Sequence, residues 1–297
     1  MNNIEIIDCH VHVTLHNETF QNEDFTIEKI LKQMDLYKIS KSIVMLNPML
    51  KDHTCNTHKR KIFDSDKSDE LVIKCLECSK ILYRGTDPLR SLNIDLIKNC
   101  QKYNDRLIPL LYMYSSNNTI QNEIDFFEKN YLEAYIGYKF NPAHSFRKMN
   151  EIKFLKSKKT ILIHTGKNYE HDHVINTINF AKNYSGNVVL AHACKFSTTE
   201  LKEIAKMDNI FVDVSPFCIM YDRKETDLFA PYNVSTLSKN DLYRALIQLV
   251  GIDKILFGSD APFSEQGVEL TSLLNSSLSE NEKTKILNLN FKKAFGI

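Results

Sequence analysis

The chain of 297 residues is 43% hydrophobic and 25% charged, a composition typical of a soluble globular protein. Its 38 basic and 37 acidic residues are well mixed and leave a formal net charge of +1, which argues against a nucleic-acid-binding or membrane-binding surface. No segment reaches the roughly 18 apolar residues of a membrane helix, and the N-terminus lacks the features of a signal peptide. With an odd count of seven cysteines, the sequence predicts a cytoplasmic protein with free or metal-bound thiols.

Eight short apolar segments typical of buried strands recur along the chain. They are 4–13, 42–48, 106–114, 134–142, 160–166, 187–194, 209–216 and 254–263. Amphipathic stretches such as TIEKILKQMDLYKI and TTELKEIAKM lie between most of them. Strand–helix alternation with nearly continuous apolar strands predicts a parallel sheet covered by helices. Eight such units favour an α/β fold of the closed (β/α)8 type, a TIM barrel, over an open sheet.

Two connections, 49–90 and 217–238, are too long to be simple turns. Both follow the carboxyl ends of predicted strands, where barrels build their active sites, so both are candidate lids. The segment 278–297 has helical periodicity and is predicted to close the chain as a C-terminal helix. We expect residues 1–297 to form one barrel domain, with 49–90 as an insertion after the second strand.

The first predicted strand, IEIIDCHVHV, carries Asp8, His10 and His12 at alternate positions. Because alternate side chains of an extended strand share a face, these three are predicted to point the same way, with Cys9 facing opposite His10. Asp8 would then lie deeper in the barrel, where its carboxylate could orient a histidine through a hydrogen bond.

Three later segments also end in side chains that can bind a metal: His164 after TILI, His192 after VVLA and Asp260 after KILFGS. The carboxyl ends of barrel strands converge on one pocket, so these side chains should meet His10 and His12 there. A single histidine at a strand end is more often a core residue, but the joint pattern predicts a metal centre. Imidazole and carboxylate ligands suit zinc first, and also manganese, iron or nickel.

At these residues the sequence resembles the amidohydrolase superfamily, and within it the amidohydrolase-related group of metal-dependent hydrolases and decarboxylases. IDCHVHV is similar to the first-strand His-x-His motif of that group, ILIHTG and VVLAHAC to its fifth-strand and sixth-strand histidines, and LFGSDAPF to its eighth-strand aspartate. The resemblance covers nearly the whole chain. It implies a (β/α)8 barrel in which His10, His12 and His164 ligate a divalent ion, with Asp260 as a further ligand or general base. It also implies one of two roles for His192. In a binuclear site His192 would ligate a second metal ion, and in a mononuclear site it would contact the water or the substrate oxygen.

The fourth strand departs from the family pattern at Asn141. Many superfamily members place a carboxylated lysine on this strand, and the related group often has a lysine followed two residues later by histidine. Here Lys139 is followed by Asn141, and His144 lies further on. By the period of two, Lys139 and Asn141 could both reach the pocket. Two interpretations of Lys139 stay open: it could bridge two metal ions, or it could be an ordinary charged group at the barrel mouth. Asp213, which ends the seventh strand, is predicted to orient loops or substrate, or to cap the next turn.

The insertion contains a second group of possible metal ligands. They are Cys55, His58, Cys75 and Cys78. This spacing lies in the range of a four-ligand structural zinc site, which would stabilise an insertion that has little core of its own. The alternative is a helix in which Leu71, Cys75, Cys78 and Leu82 share an apolar face.

The leading hypothesis is a metal-dependent hydrolase of a small-molecule amide, lactone or ester. The ion would polarise the carbonyl and lower the pKa of its bound water towards ~7, and Asp260 would shuttle the proton. The alternative is a non-oxidative decarboxylase of a small aromatic or unsaturated carboxylic acid, with Asp260 or His192 handling the proton at carbon. The third hypothesis is a catalytically silent barrel that binds a ligand. In each case the partner is a small molecule, without nucleic acid or membrane, and self-association is left open.

Overall fold

The structure is a computed structural model that describes residues 4–15, 26–46, 60–64, 70–75, 81–86, 89–113, 120–142, 149, 156–166, 173–222 and 238–297. The strands in these residues are β1 (Ile7–Val13), β2 (Lys41–Leu46), β3 (Arg60–Asp64), β4 (Glu70–Cys75), β5 (Ile81–Thr86), β6 (Leu107–Met113), β7 (Gly137–Phe140), β8 (Thr160–Ile163), β9 (Val188–Leu190), β10 (Ile210–Asp213) and β11 (Ile255–Leu256). Eight parallel strands form one sheet, in the order β1-β2-β6-β7-β8-β9-β10-β11, and three antiparallel strands form a second sheet, β3-β4-β5. Each of the eight predicted strand segments overlaps one of the parallel strands, so the prediction of a TIM barrel is confirmed.

The parallel sheet closes where β1 meets the segment that follows β11. The His12 amide donates to the Ala261 carbonyl over 2.7 Å, and the Asp260 amide donates to the His10 carbonyl over 2.8 Å. Val11 and Ala261 also form a parallel bridge. The seam between the first and last strands therefore runs through the residues that the sequence predicts to bind metal.

Helices follow most of the barrel strands and cover the sheet. The described helices are α1 (Ile27–Tyr37), α2 (Leu89–Cys100), α3 (Ile120–Tyr131), α4 (Val174–Ala181), α5 (Thr198–Ala205), α6 (Phe217–Asp222), α7 (Lys239–Val250), α8 (Gln266–Leu274), α9 (Glu280–Thr284) and α10 (Asn290–Phe295). Helix α5 begins with a capping box in which Ser197 and Glu200 satisfy each other's backbone amides, which explains its sharp start at Thr198. None of the described helices has the length and apolarity needed to cross a bilayer.

Two hydrophobic layers hold the barrel together. The inner layer lies inside the ring of strands and includes Ile43, Leu162 and Phe211. The outer layer lies between the strands and the helices, with Val44 beside residues such as Met34 of α1. Burying each such side chain is worth about 1.5–3 kcal/mol, so the two layers supply most of the stabilisation.

The C-terminal segment is helical, as predicted, and it closes the amino-terminal end of the barrel. Phe291 and Phe295 of α10 pack in the inner layer. The Thr160 hydroxyl at the start of β8 donates to the Ala294 carbonyl over 2.7 Å. A π-helical turn, Lys285–Leu289, joins α9 to α10. Because this end is filled, the open end of the barrel lies at the carboxyl ends of the strands.

The alternation of inward-facing and outward-facing side chains along β1 is interrupted halfway. Asp8 pairs with Ser42 of β2, but Val11 pairs with Val44, so β1 has one residue more than β2 over this stretch. Cys9 consequently packs in the inner layer, whereas Val11, two residues later, packs in the outer layer. The predictions that Asp8 shares a face with His10 and His12, and that Cys9 faces away from them, are therefore wrong. The physical reason is this bulge, which interrupts the period of two.

The insertion after β2 contains the antiparallel sheet β3-β4-β5. Because Glu70–Cys75 and Ile81–Thr86 are strands, the alternative of a helix with Leu71, Cys75, Cys78 and Leu82 on one face is wrong. Cys55, His58 and Cys78 lie outside the described residues, and only the backbone of Cys75 is described. The structural zinc site and the single-domain organisation stay predictions.

Candidate metal centre

Three side chains bring their ligand atoms together at the open end of the barrel. His10 Nε2 lies 3.2 Å from His12 Nε2 and 3.4 Å from Asp260 Oδ1, and His12 Nε2 lies 3.2 Å from the same carboxylate oxygen. Ligands that surround one divalent ion tetrahedrally at about 2.1 Å are separated by roughly 3.4 Å. The spacing and the chemistry of this triad therefore fit a divalent metal ion.

His164 and His192 form a second pair of donors beside this triad. His192 Nε2 lies 3.0 Å from His164 Nδ1. The His192 ring stacks on the His10 ring, with 5.3 Å between their centroids. The structure thus gathers all five predicted side chains at one end of the barrel, with His164 in direct contact with His192.

Lys139 on β7 also reaches the centre. Its side chain is 1% exposed, and its Nζ lies 3.2 Å from His10 Nε2. Burial lowers the pKa of Lys139 to about 8, although Asp213 and Asp260 oppose that shift. Lys139 therefore stays mostly protonated at neutral pH. Asn141, by contrast, hydrogen-bonds the hydroxyl of Tyr112 on the neighbouring strand β6.

Backbone conformation directs two of the donors into the centre. His192 and Asp260 have φ angles of 66° and 61°, in the left-handed region that residues other than glycine seldom adopt. Each lies just after the end of a strand. The left-handed φ turns the side chain into the centre, where the regular alternation of a strand would not place it. Gly258 allows this close approach, because a Cβ there would lie 3.0 Å from the Cβ of His10.

Asp213, the last residue of β10, and Ser215, two residues further on, contact two of the imidazoles. Asp213 Oδ2 lies 2.9 Å from His10 Nδ1, and its Oδ1 accepts the Ser215 amide over 2.9 Å. The Ser215 carbonyl lies 2.7 Å from His192 Nδ1. Asp213 therefore does cap the turn after its strand, as one of the two predictions had it, and in addition contacts a candidate ligand. The sequence around Ser215 contains no motif that would have indicated its contacts with the histidines.

The charges at the centre suit metal binding at neutral pH. Burial, reinforced by the nearby Lys139 ammonium, holds the pKa of His10 well below its usual range, so His10 is neutral. Burial works against the charge on Asp260, but the hydrogen bond with His12 favours the ionised carboxylate, and the pKa of Asp260 lies well below its usual range. Neutral imidazoles and an ionised carboxylate are the forms that ligate metals.

Asp8 binds backbone groups of the two segments that carry the triad, β1 and the segment after β11, instead of a histidine side chain. Its Oδ1 accepts the amides of His10 and Ser259 over 3.2 and 2.9 Å. Its Oδ2 accepts the Gln266 side-chain amide of α8 over 2.8 Å. Burial raises the pKa of Asp8 to about 6. Asp8 thus joins β1, the segment after β11 and α8, although its burial costs desolvation free energy.

Asp8→Asn is expected to make the protein less sensitive to pH. The raised pKa means that folding stability is greatest below the unfolded-state pKa and is lost as pH rises through about 6; the loss from this group is roughly 3 kcal/mol. The introduced side-chain NH2 group would donate to Gln266 after a flip of that amide, whose Oε1 has no partner among the described residues. We expect the free energy of unfolding of the variant, relative to wild type, to rise between pH 4.5 and 7.5 in the presence of chelator. A parallel pH dependence in the two proteins would contradict this.

Comparison with known proteins supports the assignment of the barrel. Residues 158–297 match the family model described as amidohydrolase. No curated protein matches the chain by sequence. Among solved structures, 2,6-dihydroxybenzoate decarboxylase from Rhizobium is 11% identical, covers 98% of each chain and has a TM-score of 0.60. The 5-carboxyvanillate decarboxylase from Novosphingobium aromaticivorans, complexed with manganese, is 13% identical over 99% of this chain and 96% of that chain, with a TM-score of 0.60.

A hydrolase shares the same fold. The probable 2-pyrone-4,6-dicarboxylic acid hydrolase from Acinetobacter baumannii is 13% identical, covers 99% of this chain and 100% of that chain, and has a TM-score of 0.56. At such identities the three structures establish the fold of this chain and not its reaction. The carboxyl-terminal part of the chain, residues 158–297, is thus similar to the amidohydrolase family, and the whole chain shares the closed eight-stranded barrel of these structures.

Proposed function

We propose that the protein is a metal-dependent, non-oxidative decarboxylase of a small aromatic or unsaturated carboxylic acid. The observation that carries this proposal is the buried Lys139 ammonium, 3.2 Å from His10 Nε2 within the metal-suited centre. A substrate that brings a carboxylate or phenolate would compensate this buried charge, whereas a neutral amide or ester would not. Two of the three solved structures described above are decarboxylases of aromatic acids, which supports the same choice.

His10, His12 and Asp260 would hold the metal ion, and His164 with His192 would contact a second ion or a substrate oxygen. A divalent ion at this position supplies a Lewis acid that polarises substrate oxygens. Zinc fits the ligand types, and the manganese in the N. aromaticivorans enzyme makes manganese equally worth testing.

The side chains can manage the proton that decarboxylation requires. The ionised Asp260 would accept the proton of a substrate hydroxyl as the substrate binds, and would then deliver it to the ring carbon that bears the carboxylate. As the carbon–hydrogen bond forms, the carbon–carbon bond to the carboxylate breaks and carbon dioxide leaves. Lys139 would hold the anionic end of the substrate during these steps.

The test is turnover in D2O of a panel of hydroxybenzoic acids, with protein loaded with either Mn2+ or Zn2+. We expect carbon dioxide and product in equal amounts, with one deuterium on the carbon that lost the carboxylate. Chelator-treated protein is the matched control and should be inactive until metal is restored. Turnover of lactones or amides with no release of carbon dioxide would contradict the proposal.

A hydrolase of lactones or related esters is the second candidate. The fold shared with the pyrone dicarboxylic acid hydrolase and the presence of two adjacent groups of donors favour it. In that reaction Asp260 would take the proton of the attacking water and pass it to the leaving oxygen. Lactones in the same panel, followed by the acid that they release, would distinguish the two reactions.

A further inference from the structure

We propose that Asp213 and Ser215 are positioning residues that fix the tautomer of His10 and so decide which of its nitrogens can bind a metal ion. The inference rests on the proposed metal centre and does not depend on the reaction that the centre serves. Asp213, Ser215 and His10 are all fully buried, so their mutual contacts are not weakened by water.

Two hydrogen-bond acceptors surround Nδ1 of His10. Asp213 Oδ2 lies at 2.9 Å and Ser215 Oγ at 3.0 Å. The Ser215 hydroxyl donates its own hydrogen to Asp213 Oδ1 over 2.5 Å, so its oxygen is left to accept. Because the Asp213 carboxylate and the Ser215 oxygen can only accept from His10, Nδ1 must be the donor and carries the hydrogen.

The surroundings of the opposite nitrogen agree with this assignment. His10 Nε2 lies 3.2 Å from Lys139 Nζ, which has hydrogens to donate. Nε2 is therefore an acceptor, and its lone pair points towards His12 and Asp260. Metal binding needs this lone pair, because a protonated imidazole nitrogen cannot ligate an ion.

Two backbone amides fix the orientation of the Asp213 side chain. Besides the Ser215 hydroxyl, Oδ1 accepts the Ser215 amide over 2.9 Å and the His192 amide over 3.3 Å. Backbone N–H groups cannot reverse into acceptors. An asparagine at position 213 would keep its oxygen on these amides and would present its NH2 group to His10 Nδ1. His10 would then accept at Nδ1 and carry its hydrogen on Nε2, where the metal should bind.

The experiment compares Asp213→Asn with Asp213→Ala. We expect the affinity for Zn2+, measured by competition with a chelating dye, to fall by more than ~100-fold in the Asn variant. In the Ala variant it should fall by only ~10-fold, because alanine imposes no tautomer; loss of an outer-sphere partner of a ligand costs 10–100-fold. Asparagine is nearly isosteric with aspartate, so a residue that served packing alone would give the opposite order. That opposite order, or an unchanged affinity in both variants, would overturn the inference.

Imidazole nitrogen-15 NMR of the wild-type chain tests the tautomer without any variant that must fold. We expect the His10 Nδ1 signal at a protonated shift and the Nε2 signal at an unprotonated shift, and the reverse would overturn the inference whatever the activity. Glu269→Gln is the matched control: this buried carboxylate accepts from the Cys218 amide over 3.0 Å and the Ser264 hydroxyl over 2.7 Å, and glutamine can serve both. Its Zn2+ affinity should match wild type, and a loss as large as in Asp213→Asn would also overturn the inference.

Discussion

Replacing His10 and His12 together with alanine is expected to abolish turnover and to remove the bound metal ion. The two imidazoles supply two of the three atoms of the triad, and Asp260 alone cannot hold a divalent ion. Because loss of an outer-sphere partner already costs 10–100-fold in affinity, loss of two direct ligands should cost well over ~100-fold. Metal content per chain, measured on protein purified without an affinity tag, and turnover of the decarboxylation panel check this result.

His173→Ala is the matched control for the double variant. His173 lies on the surface at the start of α4 and makes no contact with the triad. Its removal should leave metal content and turnover unchanged. Circular dichroism establishes whether the double variant keeps its fold, since His10 is fully buried. Full turnover in a folded double variant would exclude the proposed centre.

Asp260→Asn is expected to spare the fold and most of the metal but to cut turnover by ~10²–10⁴-fold, the range attributed to general acid–base catalysis. Asparagine keeps an oxygen for the ion and nearly the same shape, but it cannot accept and return a proton. Its amide also lacks the charge that the hydrogen bond with His12 stabilises on Asp260. Turnover at saturating substrate, with deuterium incorporation into the product, measures the loss of proton delivery.

Asp253→Asn provides the control for this substitution. Asp253 is 60% exposed and pairs with Lys285 over 2.7 Å, whereas Asp260 is buried among the histidines of the centre. Exposed pairs contribute about 0–1 kcal/mol to stability, so this variant should differ little from wild type in stability and in turnover. A comparably mild effect of Asp260→Asn would remove Asp260 from proton transfer.

Regular alternation made part of the centre predictable from the sequence. Along β7, Tyr138 and Phe140 pack in the outer layer, which places Lys139 on the inner side. Leu162 of β8 packs in the inner layer, so His164 follows it to the same side by the period of two. The positions of the strands, though not their carboxyl-terminal boundaries, followed from the apolar segments, because parallel barrel strands are buried on both faces.

Irregular backbone explains what the sequence did not predict. The extra residue in β1 turns His10 and His12 inward and Asp8 towards Gln266, and nothing in IEIIDCHVHV marks a bulge. The left-handed φ angles of His192 and Asp260 also depend on neighbouring segments and not on the local pattern. The contact between Asp213 and His10 joins residues 203 positions apart, which no local rule can detect.

The seam between β1 and the segment after β11 has a consequence for how the molecule is assembled. An ion bound to His10, His12 and Asp260 would connect the first strand to the segment after the last one. The same two segments also exchange backbone hydrogen bonds. The binding energy of the ion would add to barrel closure, by about 2.7 kcal/mol at a free concentration 100 times the dissociation constant. A growing polypeptide could not capture the ion through this triad until Asp260 had been synthesised, so loading and completion of the ring would be one event.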